Sequence, residues 1–156
     1  MPPAVAPAPV KRRRTPSPGA RPAPVRLGGT FAPPSPSLPS PSPLADEIAA
    51  CAAEAREPNW DGYGAAPLAP AVERRARRLA RLLPASLPLP EVTPAPSGSI
   101  DLEWRAGRAE CLSLCVCESG PVQYDGRVGG EEVSGSFPLA APLPPRVASL
   151  LRSVTG

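Results

Sequence analysis

The chain has 156 residues, 27 of them proline and none histidine, and its net charge is +3. That length fits one domain with an appendage, and without histidine there is no Ser-His or Cys-His pair and no imidazole base near neutral pH. No apolar run approaches the ~20 residues that span a bilayer, and no signal-type apolar segment follows the first basic cluster, so no membrane association and a cytoplasmic location are expected.

Residues 1–43 hold 14 of the prolines and no acidic residue. They carry Lys11, Arg12, Arg13, Arg14, Arg21 and Arg26, a local charge of +6. The remaining 11 basic and 14 acidic residues leave 44–156 at −3. Proline lacks a backbone donor and fixes φ, and this stretch has little apolar surface to offset ordering entropy. The expectation is a disordered Pro/Arg-rich tail over 1–43, partly polyproline II, and a single small domain over 44–156. A start assigned too far upstream is the alternative account of the tail, and peptide mapping of the native protein separates the two. The charge is carried by 16 Arg and one Lys beside abundant Ala, Pro and Gly. A GC-rich genome gives this bias, which weakens any functional reading of Arg alone.

Leu44–Arg56 predicts a helix rich in Ala, with Ser42 or Asp46 as cap and Leu44, Ile48, Cys51 and Ala55 on one face. Pro58 ends it, and Asn59-Trp60-Asp61-Gly62-Tyr63-Gly64-Ala65 follows as a loop. Pro67 and Pro70 lead into a second helix over Ala69–Leu83. Leu68, Val72, Ala76, Leu79 and Leu83 form its apolar stripe, and Arg74, Arg75, Arg77, Arg78 and Arg81 lie on the other side. Pro84, Pro88 and Pro90 make an extended crossing.

The period then changes to two. Glu91-Val92-Thr93 reads as a short edge strand broken at Pro94. Ser99–Trp104 and Glu110–Glu118 alternate clearly across a turn at Ala106-Gly107-Arg108. Val122–Tyr124 is the next strand, with Gly126, Gly129 and Gly130 after it, and Val133–Leu139 is the last, weakened by Gly135 and Pro138. Leu143–Val154 predicts a closing helix with Val147, Leu150, Leu151 and Val154 inward. The expected fold is α+β in two layers: a four-stranded antiparallel meander covered by two N-terminal helices and one C-terminal helix (α-α-β-β-β-β-α).

Several segments recur in a recognisable order. They are Asn59–Ala65, Leu87–Pro90, Pro96–Trp104, Gly120–Gly130 and Leu143–Val154. Together they resemble a group of small bacterial proteins with an Asn-Trp-Asp-Gly-(Tyr/Glu)-Gly-Ala signature. The likeness covers residues 55–155 and leaves the tail outside. It implies a bacterial, single, small α+β domain and carries no assigned activity.

The Asn59–Ala65 loop holds one of two Trp and one of two Tyr. Its glycines supply turn chemistry. Trp60 and Tyr63 either pack as an anchor that sets the helices on the sheet or form a recognition surface. Asp61 has no visible partner for acid–base work. Cys111, Cys115 and Cys117 share the strand face opposite Leu112, Leu114 and Val116, while Cys51 lies on the first helix. Zinc sites need turn-like Cys pairs, so small semi-buried thiols are expected, with no metal and no cofactor. Their apolar character suggests cover from a helix or a dimer partner on that face. Asp101 and Glu103 beside Arg105 read as a solvated face. Gly126–Gly130 lacks the Lys-Ser/Thr of a phosphate loop.

The leading expectation is a non-enzymatic domain that binds another macromolecule, most specifically a protein, such as the product of a neighbouring gene. The candidate surface is Trp60, Asp61 and Tyr63 with Arg74, Arg77, Arg78 and Arg81. No catalytic residue is assigned. The alternative is a nucleic-acid accessory protein using Lys11, Arg12, Arg13 and Arg14 and the basic helix, because basic clusters give salt-dependent binding to phosphates. An enzyme with an unrecognised site is the third reading, and self-association stays open.

Overall fold

Proline opens every described helix. Pro43, Pro70 and Pro145 each occupy the first turn, where the missing N–H has no intrahelical partner to lose. The computed structural model describes residues 42–156. In chain order the elements are α1 (Pro43–Glu54), α2 (Pro70–Leu82), β1 (Glu91–Pro94), β2 (Ile100–Ala106), β3 (Glu110–Val116), β4 (Val122–Val128), β5 (Glu131–Phe137) and α3 (Pro145–Thr155). The expected tail over 1–43, with its Lys11–Arg14 cluster, lies outside the described residues except for its last two positions. Ser42 caps α1 by accepting the Ala45 N–H at 3.2 Å.

The architecture is α+β, with three helices and a single antiparallel sheet among the described residues, in the order β1-β2-β3-β4-β5. The sheet has five strands, not the expected four. The extra strand is Glu91–Pro94, which pairs only with β2, in the register Val92↔Leu102 and Pro94↔Ile100. Its proline is tolerated because an edge strand leaves half of its amides unpaired. Strand boundaries also move. β4 does not stop at Tyr124 but continues through Gly126 to Val128. β5 begins at Glu131, directly after the two-residue turn Gly129-Gly130, and ends before Pro138. Both turn glycines have positive φ, 63° and 80°, which suits the twist of a tight hairpin.

Gly126 is in mid-strand for a steric reason. A Cβ there would lie 2.1 Å from the carbonyl oxygen of Cys111 on β3. Gly135 stands opposite Tyr124, and a Cβ there would meet the Tyr124 ring at 2.6 Å. The tyrosine therefore lies across the glycine and fills the space that a side chain would take.

One sheet face is fully apolar. Ile100, Leu102, Leu112, Leu114, Val116 and Val122 are completely buried, and Trp104, Tyr124 and Phe137 nearly so. Burying each such aliphatic side chain contributes about 1.5–3 kcal/mol. The helices bury Ile48, Val72, Ala76, Leu79, Val147 and Leu151 in the same core. On the opposite face Cys111, Cys115 and Cys117 are half-buried. No helix is long and apolar enough to cross a membrane among the described residues.

Two links set the outer segments. Trp104 donates its indole N–H to the Pro88 carbonyl at 2.9 Å, which holds the Leu83–Pro90 crossing on the end of the sheet. Arg75 donates from Nε to the Cys117 carbonyl at 2.8 Å and from a terminal nitrogen to the Gly120 carbonyl, tying α2 to the β3–β4 turn.

Candidate functional site

The loop from Asn59 to Ala65 satisfies its own backbone. Asn59 takes a left-handed conformation (φ 62°), which its short polar side chain tolerates. Its N–H donates to the Ala65 carbonyl at 2.8 Å, and its Oδ1 accepts the Gly64 N–H at 2.7 Å. The Gly62 N–H returns to the Asn59 carbonyl at 2.9 Å. Asp61 Oδ1 accepts from the Tyr63 N–H at 2.8 Å and the Ala65 N–H at 3.0 Å. The loop is then tied to the body: the Ala66 N–H donates to Pro96 and the Leu68 N–H to Ala55.

The two rings have separate roles. Trp60 packs against the core and donates its indole N–H to the Ala66 carbonyl at 3.1 Å. It is the anchor. Tyr63 is 94% exposed. Between glycines with φ of 78° and 92°, its ring is held out by a backbone that only Gly adopts readily on both sides. A free-standing aromatic on a hydrogen-bonded loop presents apolar area at low ordering cost.

Asp61 is committed to this scaffold. The Tyr63 and Ala65 N–H bonds stabilise its charged form and lower its pKa below the ordinary 3.8. A carboxylate held ionised by two backbone donors is a poor general base.

The α2 arginines divide. Arg77 is half-buried and pairs with Glu73 at 3.0 Å. Arg75, read from sequence as part of the basic face, is instead the clamp onto Cys117 and Gly120. Arg74, Arg78 and Arg81 are exposed, and no ion pair among the described residues includes them. At ~1.5 Å rise per residue, Arg81 stands ~16 Å along the axis from Pro70, at the end of α2 far from the loop. The candidate set therefore comprises two patches: Trp60, Asp61 and Tyr63 in the loop, and a cationic stripe along α2. Lys11, Arg12, Arg13 and Arg14 lie outside the described residues.

Other chemistry-bearing groups are engaged or dispersed. Glu103 pairs with Arg105 at 2.9 Å. Burial pushes the Cys51 thiol up to about 11 and the Cys115 thiol up to about 12, where Ser99 offsets part of the effect and Asp101 adds to it. Asp101 Oδ1 is buried without a hydrogen-bond partner. Among the described residues no three His, Cys, Asp or Glu side chains gather where a metal ion would be held.

Sequence reasoning missed a groove. Leu83, Leu87, Leu89, Trp104 and Leu44 line a cavity of about 420 Å³ between the start of α1, the end of α2 and the Leu83–Pro90 crossing. The available signal was the alternation in Leu87-Pro88-Leu89-Pro90, whose Leu89 is 55% exposed. No family model, curated protein or solved structure matches this chain.

Proposed function

We propose that this chain is a non-enzymatic domain that binds another macromolecule, a protein in the first instance, through the Tyr63 loop. One observation carries the reading: a tyrosine ring 94% exposed on a loop whose polar groups are turned inward. A ring with no packing role among the described residues is costly to expose unless a partner covers it. The absence of histidine and the engagement of Asp61 in the turn support a binding role over an enzymatic one. The resemblance to small bacterial proteins with the Asn59–Ala65 signature supports a bacterial setting, and the proposal places the chain in the cytoplasm with the product of a neighbouring gene as partner.

The test is capture from the native host with the full chain and with Tyr63→Ala. A stoichiometric protein retained by the first and lost by the second, at equal thermal stability, supports the reading. Equal capture by both removes Tyr63 from the interface.

A second reading rests on Arg74, Arg78 and Arg81, which no described acidic group neutralises. A cationic stripe of this kind binds nucleic acid with a salt-dependent affinity. Filter binding across salt tests it: a flat dependence, or no binding at low salt, excludes it.

A further inference from the structure

The groove at the Leu83–Pro90 crossing has a chemistry of its own, separate from the Tyr63 loop. Its volume of about 420 Å³ lies within the range of small-molecule sites. Its floor and walls are Leu44, Ala80, Leu83, Leu87, Leu89 and Trp104. Four further lining residues, Pro43, Pro84, Pro88 and Pro90, have no backbone N–H to offer. The Trp104 indole N–H is already given to Pro88, so the Ser42 hydroxyl and the Arg81 guanidinium are the side-chain donors left along the lining. An extended peptide laid here would find few donors for its carbonyls, whereas a hydrocarbon body needs none.

One charged side chain lines this groove, the exposed Arg81 at its rim, and it belongs to none of the ion pairs among the described residues. A second cavity of about 510 Å³ shares Pro88, Leu89 and Trp104 and runs on to Glu91, Glu103 and Arg105. Arg105 is already paired with Glu103 at 2.9 Å and Glu91 adds a negative charge, so that end offers an anion no unpaired cation and a negative head group is directed toward Arg81.

We propose that the groove binds a medium-chain carboxylate, with the alkyl chain against Leu83, Leu87 and Trp104 and the carboxylate at the Arg81 guanidinium. The site is independent of the protein-binding reading and stands or falls without it.

The full chain contains two tryptophans, so its indole N–H groups give two reporters in a ¹⁵N spectrum. Decanoate, titrated below its micelle-forming concentration, shifts the Trp104 indole saturably and leaves Trp60 in place. Arg81→Gln, an exposed substitution that leaves the core intact, weakens this binding about three- to fivefold, as expected for one solvent-facing ion pair. Decanol binds as weakly to the parent as decanoate does to the variant, and decyltrimethylammonium more weakly still. Leu89→Glu abolishes the shift.

Failure of decanoate to move the Trp104 indole overturns the proposal, including the case in which a polypeptide segment or a second copy already fills the groove. Equal, unsaturated shifts of both indoles, the mark of detergent-like adsorption, overturn it too. Decanol binding as tightly as decanoate removes the role of Arg81 and with it the assignment of an anion.

Discussion

Asp61 holds Tyr63 by its backbone: the carboxylate accepts the tyrosine N–H at 2.8 Å while the ring above it stays 94% exposed. The residue that orders the loop and the residue that the loop displays are two apart. Binding and stability are therefore separable by mutation. Tyr63→Ala removes exposed area only and changes stability by less than about 0.5 kcal/mol. Trp60→Ala removes a ring packed on the core and its hydrogen bond to Ala66, and costs about 1–3 kcal/mol. Urea unfolding of both variants beside capture of the partner checks the split. A Tyr63→Ala variant as unstable as Trp60→Ala would place the tyrosine in the scaffold.

The same contact makes the loop sensitive to acid. Asp61 titrates below its ordinary 3.8 in the folded chain because the Tyr63 and Ala65 N–H groups stabilise the carboxylate. Its contribution is therefore full above pH 3.8 and is lost as pH falls through the lowered folded value. Amide exchange at Tyr63 and Ala65 is expected to accelerate in that acid range in the parent. Asp61→Asn keeps an oxygen acceptor but cannot titrate, so its exchange should lack that acid step. An identical pH profile in the variant would show that another group controls the loop.

The α+β class and the three helices were legible because their signals are local. The 3.6-residue stripe Leu68, Val72, Ala76, Leu79 and Leu83 predicted the buried side of α2; the first four are buried, and Leu83, at the helix C-cap, is half-buried. The Asn59–Ala65 segment also stood out, since two large rings have no role in a simple turn. The division of labour between Trp60 and Tyr63 was not legible, because both readings were open for both rings and only tertiary contacts decide. Arg75 shows the same limit. It falls on the polar side of the helical wheel, yet it binds carbonyls more than 40 residues away in sequence. The fifth strand showed in the sequence only as the short edge segment Glu91–Thr93, outside the expected count of four, because so short an alternation ending at a proline is weak by itself and pairing to β2 makes it a strand.

Two glycines inside strands give the next prediction. Gly126→Ala would drive a Cβ into the Cys111 carbonyl of the paired strand, an atom that cannot move without distorting the ladder. A cost of about 3 kcal/mol is expected. Gly135→Ala meets the end of the Tyr124 side chain, which can turn, and the expected cost is smaller, about 1–2 kcal/mol. Chemical denaturation of the two single variants checks the order. Equal or reversed costs would mean that the β3–β4 ladder yields more easily than the Tyr124 ring.

The cysteines set the alkaline limit of the fold. Burial raises the Cys51 thiol to about 11 and the Cys115 thiol to about 12, above their ordinary value of 9.0. Between 9.0 and those values the unfolded chain has lost protons that the folded chain keeps, so stability falls as pH rises above 9. The melting temperature should drop between pH 8 and pH 10.5, and Cys115→Ser should reduce the drop because its hydroxyl does not titrate in that range. Native-state alkylation at pH 8 gives an independent check. Cys115 should react slowly, because so little of its thiol is ionised, even though its side chain is only half-buried. Fast alkylation of Cys115 at that pH, with the fold intact by circular dichroism, would show a thiol already ionised and would remove the predicted pH dependence with it.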